Sequence, residues 1–218
     1  MRNNKKPSKI SLILAPAQHL PVFSVANLAA STKASSHLKI LLSRYAKRGS
    51  VIRLKKGWYV AREYLNELVK RGATNGYLEW LAITLAAPSY LSLEYILYER
   101  NVLTEMPQSF TAITLKKPAV YRNSLGVFIY HHIKPELFRG FTVKKTGPFY
   151  IAKAALAKAL FDWLYLRRHA LRGATAIAEL RLNTIALRQR DWSELRAWCQ
   201  ADSPGMIKIF KLLYDSCR

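Results

Sequence analysis

The sequence predicts an α+β protein built in two parts, a small N-terminal domain over residues 1–72 and a mixed domain over residues 73–218. Three observations carry that expectation. Helical periodicity with recognisable caps runs up to residue 49. An alternating segment, "VIRLKKGWYV" (51–60), follows at once with a glycine turn. Past a polar junction at Gly72–Gly76, strand-like runs lie between two helical blocks. Hydrophobic residues make up 50% of the 218, enough for a buried core and too many for wholesale disorder.

Ile10, Ile13, Leu14 and Ala17 recur at i, i+3, i+4, i+7 and predict an amphipathic first helix ending near Pro21. The same stretch, "MRNNKKPSKISLILAPA", has the basic start, apolar run and small-residue ending of a signal peptide. Its apolar part is only about eight residues and meets Pro16, which favours the helix. Ser24 is placed to cap a second helix with Val25, Leu28 and Ala29 inward. After a break at "AST" (30–32), Ser31 or Thr32 can cap a third helix carrying Leu38, Leu41, Leu42 and Tyr45 on one face. Gly49 closes that helix as a C′ glycine. Strands are predicted over Val51–Leu54 and Trp58–Val60, joined through Lys55-Lys56-Gly57 and anchored by Ile52, Leu54 and one or both of Trp58 and Val60. Helix, helix–turn–helix, then hairpin is the order of a winged helix-turn-helix domain.

Residues 61–76 read as an exit helix and the junction. Tyr77–Ala87 and Ser89–Glu99 read as helices divided by Pro88; Glu79, Pro88 and Glu94 make this apolar stretch a poor membrane span. "FTAIT" (110–114), "GVFIY" (126–130) and "GFTVKK" (140–145) read as the strands of a small sheet. Helix resumes from Ile151, with Ala155, Ala159, Asp162 and Leu166 on one face, and continues to a helical C-terminal end. There Asp191 reads as an N-cap with Glu194 three residues on.

The charge is lopsided: 35 Lys and Arg against 13 Asp and Glu give +22. Residues 1–62 hold thirteen of the bases and no carboxylate, while residues 63–218 hold twenty-two against thirteen. A surface without internal counter-charge attracts polyanions, nucleic acid first and an anionic membrane surface second. Charge kept simply for solubility is the plainer alternative. With Leu38, Leu41, Leu42 and Tyr45 inward, Lys33, Ser35, Ser36, His37, Lys39 and Arg44 lie on or beside the exposed face of the third helix. In a helix-turn-helix that helix enters the major groove. Its serines and histidine suit base edges, while Lys33, Lys39 and Arg44 suit phosphates. Arg53, Lys55 and Lys56 put three more cations on the hairpin.

Chemistry of other kinds finds little support. There is no GxSxG elbow, Walker loop or HExxH. His131 and His132 are adjacent on a strand and point to opposite faces. Asp162 is embedded in an apolar helix and must find a cationic or backbone partner. Cys199 and Cys217 lack metal-ligand spacing and suit a reducing cytosol. No catalytic residue, metal or cofactor is therefore expected.

Taken in order, "RLKKGWYV", "YLSLEYILYERNVLTEMP", "FTAITLKKP", "GVFIYHHIKPELFRGF", "KALFDWLYLRR" and "LRLN" resemble the AbiEi family. This is the antitoxin and transcriptional-regulator component of AbiE abortive-infection toxin–antitoxin systems, and the resemblance covers about residues 22–213. It implies a cytoplasmic, non-enzymatic repressor whose winged helix binds inverted repeats in the double-stranded DNA of its own promoter. Such a protein binds as a homodimer or cooperatively, its C-terminal domain, here residues 73–218, carrying the antitoxin activity and helping assembly on DNA, and it counters a nucleotidyltransferase-like toxin without a stable toxin complex. Carried onto this chain, the DNA-facing positions are Lys33, Ser35, Ser36, His37, Lys39 and Arg44 in the helix and Arg53, Lys55 and Lys56 in the wing. Many relatives carry an acid just before the Lys-Ala-Leu of "KALFD", where this chain has Ala157. The chain is not itself the toxin, because Gly49-Ser50 is followed by arginine and lysines with no carboxylate until Glu63. A stand-alone winged-helix regulator without a toxin partner is the neighbouring reading. A nucleic-acid enzyme would need clustered carboxylates, a spacing that Glu94, Glu99, Glu105 and Asp162 do not provide.

Overall fold

A computed structural model describes residues 15–29, 35–171 and 173–217, and the chain is α+β. It divides into two compact units, Met1–Leu78 with Tyr121–Leu125, and Glu79–Val120 with Gly126–Arg218.

In the first unit a 3-10 turn, Ala15–His19, precedes β1 (Phe23–Ser24), α1 (Val25–Ala29), α2 (Ser35–Lys47), β2 (Val51–Lys55), β3 (Trp58–Ala61) and α3 (Arg62–Lys70). Ile10, Ile13 and Leu14 of the expected first helix lie outside the described residues, as do the cap positions Ser31 and Thr32 and the side chain of Ala29. Ser24 does cap α1: its hydroxyl accepts from the Asn27 amide at 3.4 Å, and its own amide donates to Asn27 Oδ1 at 2.8 Å. Gly49, at φ +76°, ends α2. Its amide donates to the Ala46 carbonyl and the Ser50 amide to that of Tyr45, so two orphan helix carbonyls are satisfied. The three strands form an antiparallel sheet in the order β1-β3-β2, with Ile52 opposite Val60 and Lys55 opposite Trp58. The core joins Ala17, Phe23, Leu28, Leu38, Leu41, Leu42, Val51, Tyr59 and Ala61. Ile52, Leu54 and Val60, on the other face of the hairpin, are also buried.

The second unit is built on a mixed six-stranded sheet in the order β6-β7-β5-β4-β9-β8, larger than the small sheet expected, of which only the Tyr121–Asn123 end of β6 falls in the first unit. Its strands are β4 (Ser89–Leu91), β5 (Phe110–Thr114), β6 (Ala119–Asn123), β7 (Gly126–His132), β8 (Phe141–Thr146) and β9 (Phe149–Ala154). Its helices are α5 (Glu94–Glu99), α6 (Leu156–Arg167), α7 (Ala174–Ala178), α8 (Gln189–Asp202) and α9 (Pro204–Asp215); α4 (Thr74–Leu85) runs through the division between the units. Helix α6 is buried from Ala157 to Tyr165 and packs against α5 and α8.

Three expectations are corrected. Ser89–Leu91 is a strand, not the start of a helix, pairing antiparallel with β5 and parallel with β9. The helix then begins at Glu94, where the Tyr95 amide donates to Thr111 Oγ1 at 3.1 Å and Thr111 donates to the Ser92 carbonyl at 2.7 Å. A strand ladder and a cap from 16–19 residues away override a helical apolar spacing. Ile151 lies in β9, and helix resumes only at Leu156. Asp191 is the N3 residue of α8, not its N-cap; its carboxylate accepts from the Arg188 amide at 2.9 Å. Strand β6 had no counterpart among the expected elements.

Cys199 is buried, and burial, with Asp202 nearby, pushes its thiol up to about 12. Cys217 is exposed. Titration of the native protein with a thiol reagent near pH 8 should therefore count one reactive cysteine, and two only after denaturation. Rapid labelling of both in the folded protein would contradict this burial.

Candidate nucleic-acid interface

The candidate interface comprises α2 and the β2–β3 hairpin. Core packing of Leu38, Leu41 and Leu42 turns the opposite side of α2 outward, so Lys39, Ser43, Arg44 and Lys47 are exposed. Lys33 lies outside the described residues; Ser35, Ser36 and His37 form the first turn of α2, with side chains outside the description. The periodicity reading passed over Ile40. It stands 56% exposed on this otherwise polar face. An exposed aliphatic among polar groups is the chemistry a thymine methyl requires, and its signal was a β-branched residue off the apolar stripe.

On the hairpin, Arg53 and Lys56 are exposed and Lys55 is half-buried. Gly57 takes φ +79°, a conformation that costs a side chain strain, and its turn brings Lys55 opposite Trp58. The Lys55 ammonium sits 4.0 Å from the Trp58 ring centroid and 5.6 Å from that of Tyr121. The Asn123 amide donates to the Leu54 carbonyl at 3.0 Å. Tyr121–Leu125 belongs to the first unit. Sequence reasoning missed this buttress because it comes from "YRNSL", about seventy residues beyond the hairpin and in a strand that was not foreseen.

The electrostatics follow from the carboxylate distribution. The acids Glu63 and Glu67 both follow the hairpin, and Glu67 pairs with Lys70 at 2.7 Å. The hydrogen bond and charge of Lys70 hold the Glu67 carboxyl below its ordinary value. Among the described residues, no carboxylate forms an ion pair with Lys39, Arg44, Arg53 or Lys56.

The second unit places the remaining titratable candidates in packing roles. Asp162 is fully buried and accepts from Lys158 Nζ, from the Tyr90 hydroxyl at 3.0 Å and from the Ser92 hydroxyl at 2.8 Å. Burial pushes the Asp162 carboxyl up, against the pull of Lys158, Ser92 and Tyr90. Burial likewise lowers Lys158. His131 is half-buried, and burial draws its imidazole below the usual histidine range, opposed by the Glu94 carboxylate; His132 is exposed. Among the described residues no group of three His, Cys, Asp or Glu side chains is placed to hold a metal ion, and no helix is long and apolar enough to cross a membrane.

Compared with known proteins, the chain matches no family model and no curated protein.

Proposed function

We propose that the chain is a DNA-binding regulator whose first unit is a winged helix-turn-helix, with α2 as the groove-reading helix and β2–β3 as the wing. The observation that carries this reading is the set of exposed cations, Lys39 and Arg44 on α2 and Arg53 and Lys56 on the hairpin, within sixty-two residues free of carboxylates. Arginine and lysine on the wing then neutralise phosphates, whereas the exposed Ile40 is offered to a base edge. The AbiEi resemblance adds the biological setting. The DNA is then an inverted repeat in the chain's own promoter, and the regulated operon includes a nucleotidyltransferase-like toxin that this chain counters without enzymatic activity of its own.

Binding to a duplex from the upstream region tests the reading. Lys55→Ala with Lys56→Ala should weaken binding to every sequence alike and flatten the log–log salt slope by up to about two units. Ile40→Asn should leave that slope intact and reduce the preference for one base pair by about 1 kcal/mol. A double variant with the slope of the unaltered protein removes the hairpin from the contact set. Growth on co-expression with the neighbouring gene's product then separates an antitoxin, which rescues, from a regulator without a toxin partner.

A further inference from the structure

Helices α8 and α9 meet at Ser203 and leave a cleft along one side. On α8, Gln189, Trp192, Arg196 and Gln200 recur at helical spacing, and on α9 Ile207, Phe210, Lys211 and Tyr214 do the same. These two faces line a cavity of about 570 Å³. Small-molecule sites occupy roughly 300–1,000 Å³ and combine apolar walls with a few polar groups. Leu195, Cys199, Met206 and Leu213 are at most 2% exposed and seat the helices, whereas Trp192, Ile207 and Tyr214 remain half-buried in the cleft.

The walls are aromatic. The Phe210 and Tyr214 rings are parallel to within 17°, with centroids 5.8 Å apart, and Trp192 stands at 80° to Tyr214 at 5.3 Å. Rings set at right angles form a corner in which a planar guest can stack on one wall and meet the edge of the other. The rim is cationic: Arg196 comes from α8 and Lys211 from α9, both exposed, and among the described residues neither forms an ion pair. Glu194, Asp202 and Asp215 are carried by the same helices, yet no carboxylate lines the cleft. Gln189 and Gln200 add amides that can both donate and accept. A nucleic-acid strand needs a run of cations along its backbone, and this lining has two. The cleft therefore suits one flat ring with one acidic group.

We propose that the α8–α9 cleft is a binding site for a small planar aromatic anion, its ring against Trp192, Phe210 and Tyr214 and its phosphate or carboxylate between Arg196 and Lys211. The site is independent of the interface in the first unit, and its test contains no duplex, so failure here leaves the DNA reading untouched. Calorimetric titration of the full chain uses adenosine 5′-monophosphate and indole-3-acetate, with adenosine and indole-3-acetamide as their neutral counterparts. At least one anion should saturate a single site, and its neutral counterpart should bind about tenfold more weakly. The anion that binds decides between phosphate and carboxylate. Arg196→Ala with Lys211→Ala should abolish that tenfold preference, and Arg196→Lys with Lys211→Arg, which keeps both charges, should retain it. Tyr214→Ala should weaken the anion and its neutral counterpart alike, by about fivefold or more. Absence of saturation by either anion, equal binding of the neutral probes, a preference that survives the alanine pair or indifference to Tyr214→Ala would overturn the site. A short single-stranded oligonucleotide that displaces the anion at a lower concentration would assign the cleft to nucleic acid and overturn it equally.

Discussion

Asp162→Ala is expected to lower the stability of the chain by about 3–5 kcal/mol, because it leaves the Lys158 ammonium buried with no anion beside it. Lys158 has no escape to solvent: its side chain is 0% exposed, and the rings of Trp198, Phe161 and Tyr90 lie 4.8, 5.0 and 5.8 Å from its ammonium. The hydroxyls of Tyr90 and Ser92 would lose their acceptor in the same step. Lys158→Met with Asp162→Asn should restore most of the loss, since asparagine keeps an oxygen for both hydroxyls and no charge remains. Denaturant unfolding of the three proteins checks this; a double variant as unstable as Asp162→Ala would show that the charges themselves are required.

The single change Lys158→Met carries a pH signature. Burial raises the Asp162 carboxyl above the ordinary aspartate value of 3.8, and removing Lys158 takes away a charge that lowers it. The folded variant then holds a proton that the unfolded chain releases above about pH 4. Its stability should rise as the pH falls from 8 toward 5, the reverse of a salt-bridged aspartate. A flat profile would mean that Asp162 remains ionised without its partner.

Gly140→Ala is the second large effect. A Cβ at this position would stand 2.5 Å from Trp198 Cζ2 and 3.1 Å from Lys158 Cγ, and the backbone has φ +80°. Left-handed strain of about 1 kcal/mol adds to overpacking of roughly 1–3 kcal/mol against an indole held over the buried pair. Gly147→Ala is the matched control, with φ +58° and nothing within 4 Å, so only the backbone strain applies. Melting temperatures for the two variants decide the matter: equal losses would show that Trp198 moves aside freely.

These effects belong to the second unit, and their logic differs from that of the candidate interface. The buried pair joins α6 to β4 through Tyr90 and to the residue just after it through Ser92. Removing it reports on folding. Removing Lys56, which is exposed, tests the proposed DNA contact, so salt dependence and not stability is the measurement for it.

Much of the first unit was legible in the sequence because its determinants are local. The Ser24 cap acts within three residues, Gly49 and Gly57 meet a backbone requirement at their own positions, and the carboxylate-free stretch is a property of composition. Asp162 announced its need for a partner by being an acid among apolar neighbours. Lys158, one helical turn earlier, met that need.

What the sequence alone could not decide depends on residues far away. "SYL" (89–91) follows an apolar helix and is itself compatible with one, yet it becomes a central strand because β5 and β9 pair with it from both sides. Its end is set by Thr111 and Asp162, which are remote in the chain. Likewise Lys55 had the look of a free wing lysine until Tyr121 and Asn123 arrived beside the hairpin. Spacing and caps report hydrogen bonds closed within a few residues. A strand ladder, the Tyr90 and Ser92 hydroxyls that meet Asp162 and a buttressed hairpin are closed between segments far apart in the chain, so only the tertiary structure could choose them.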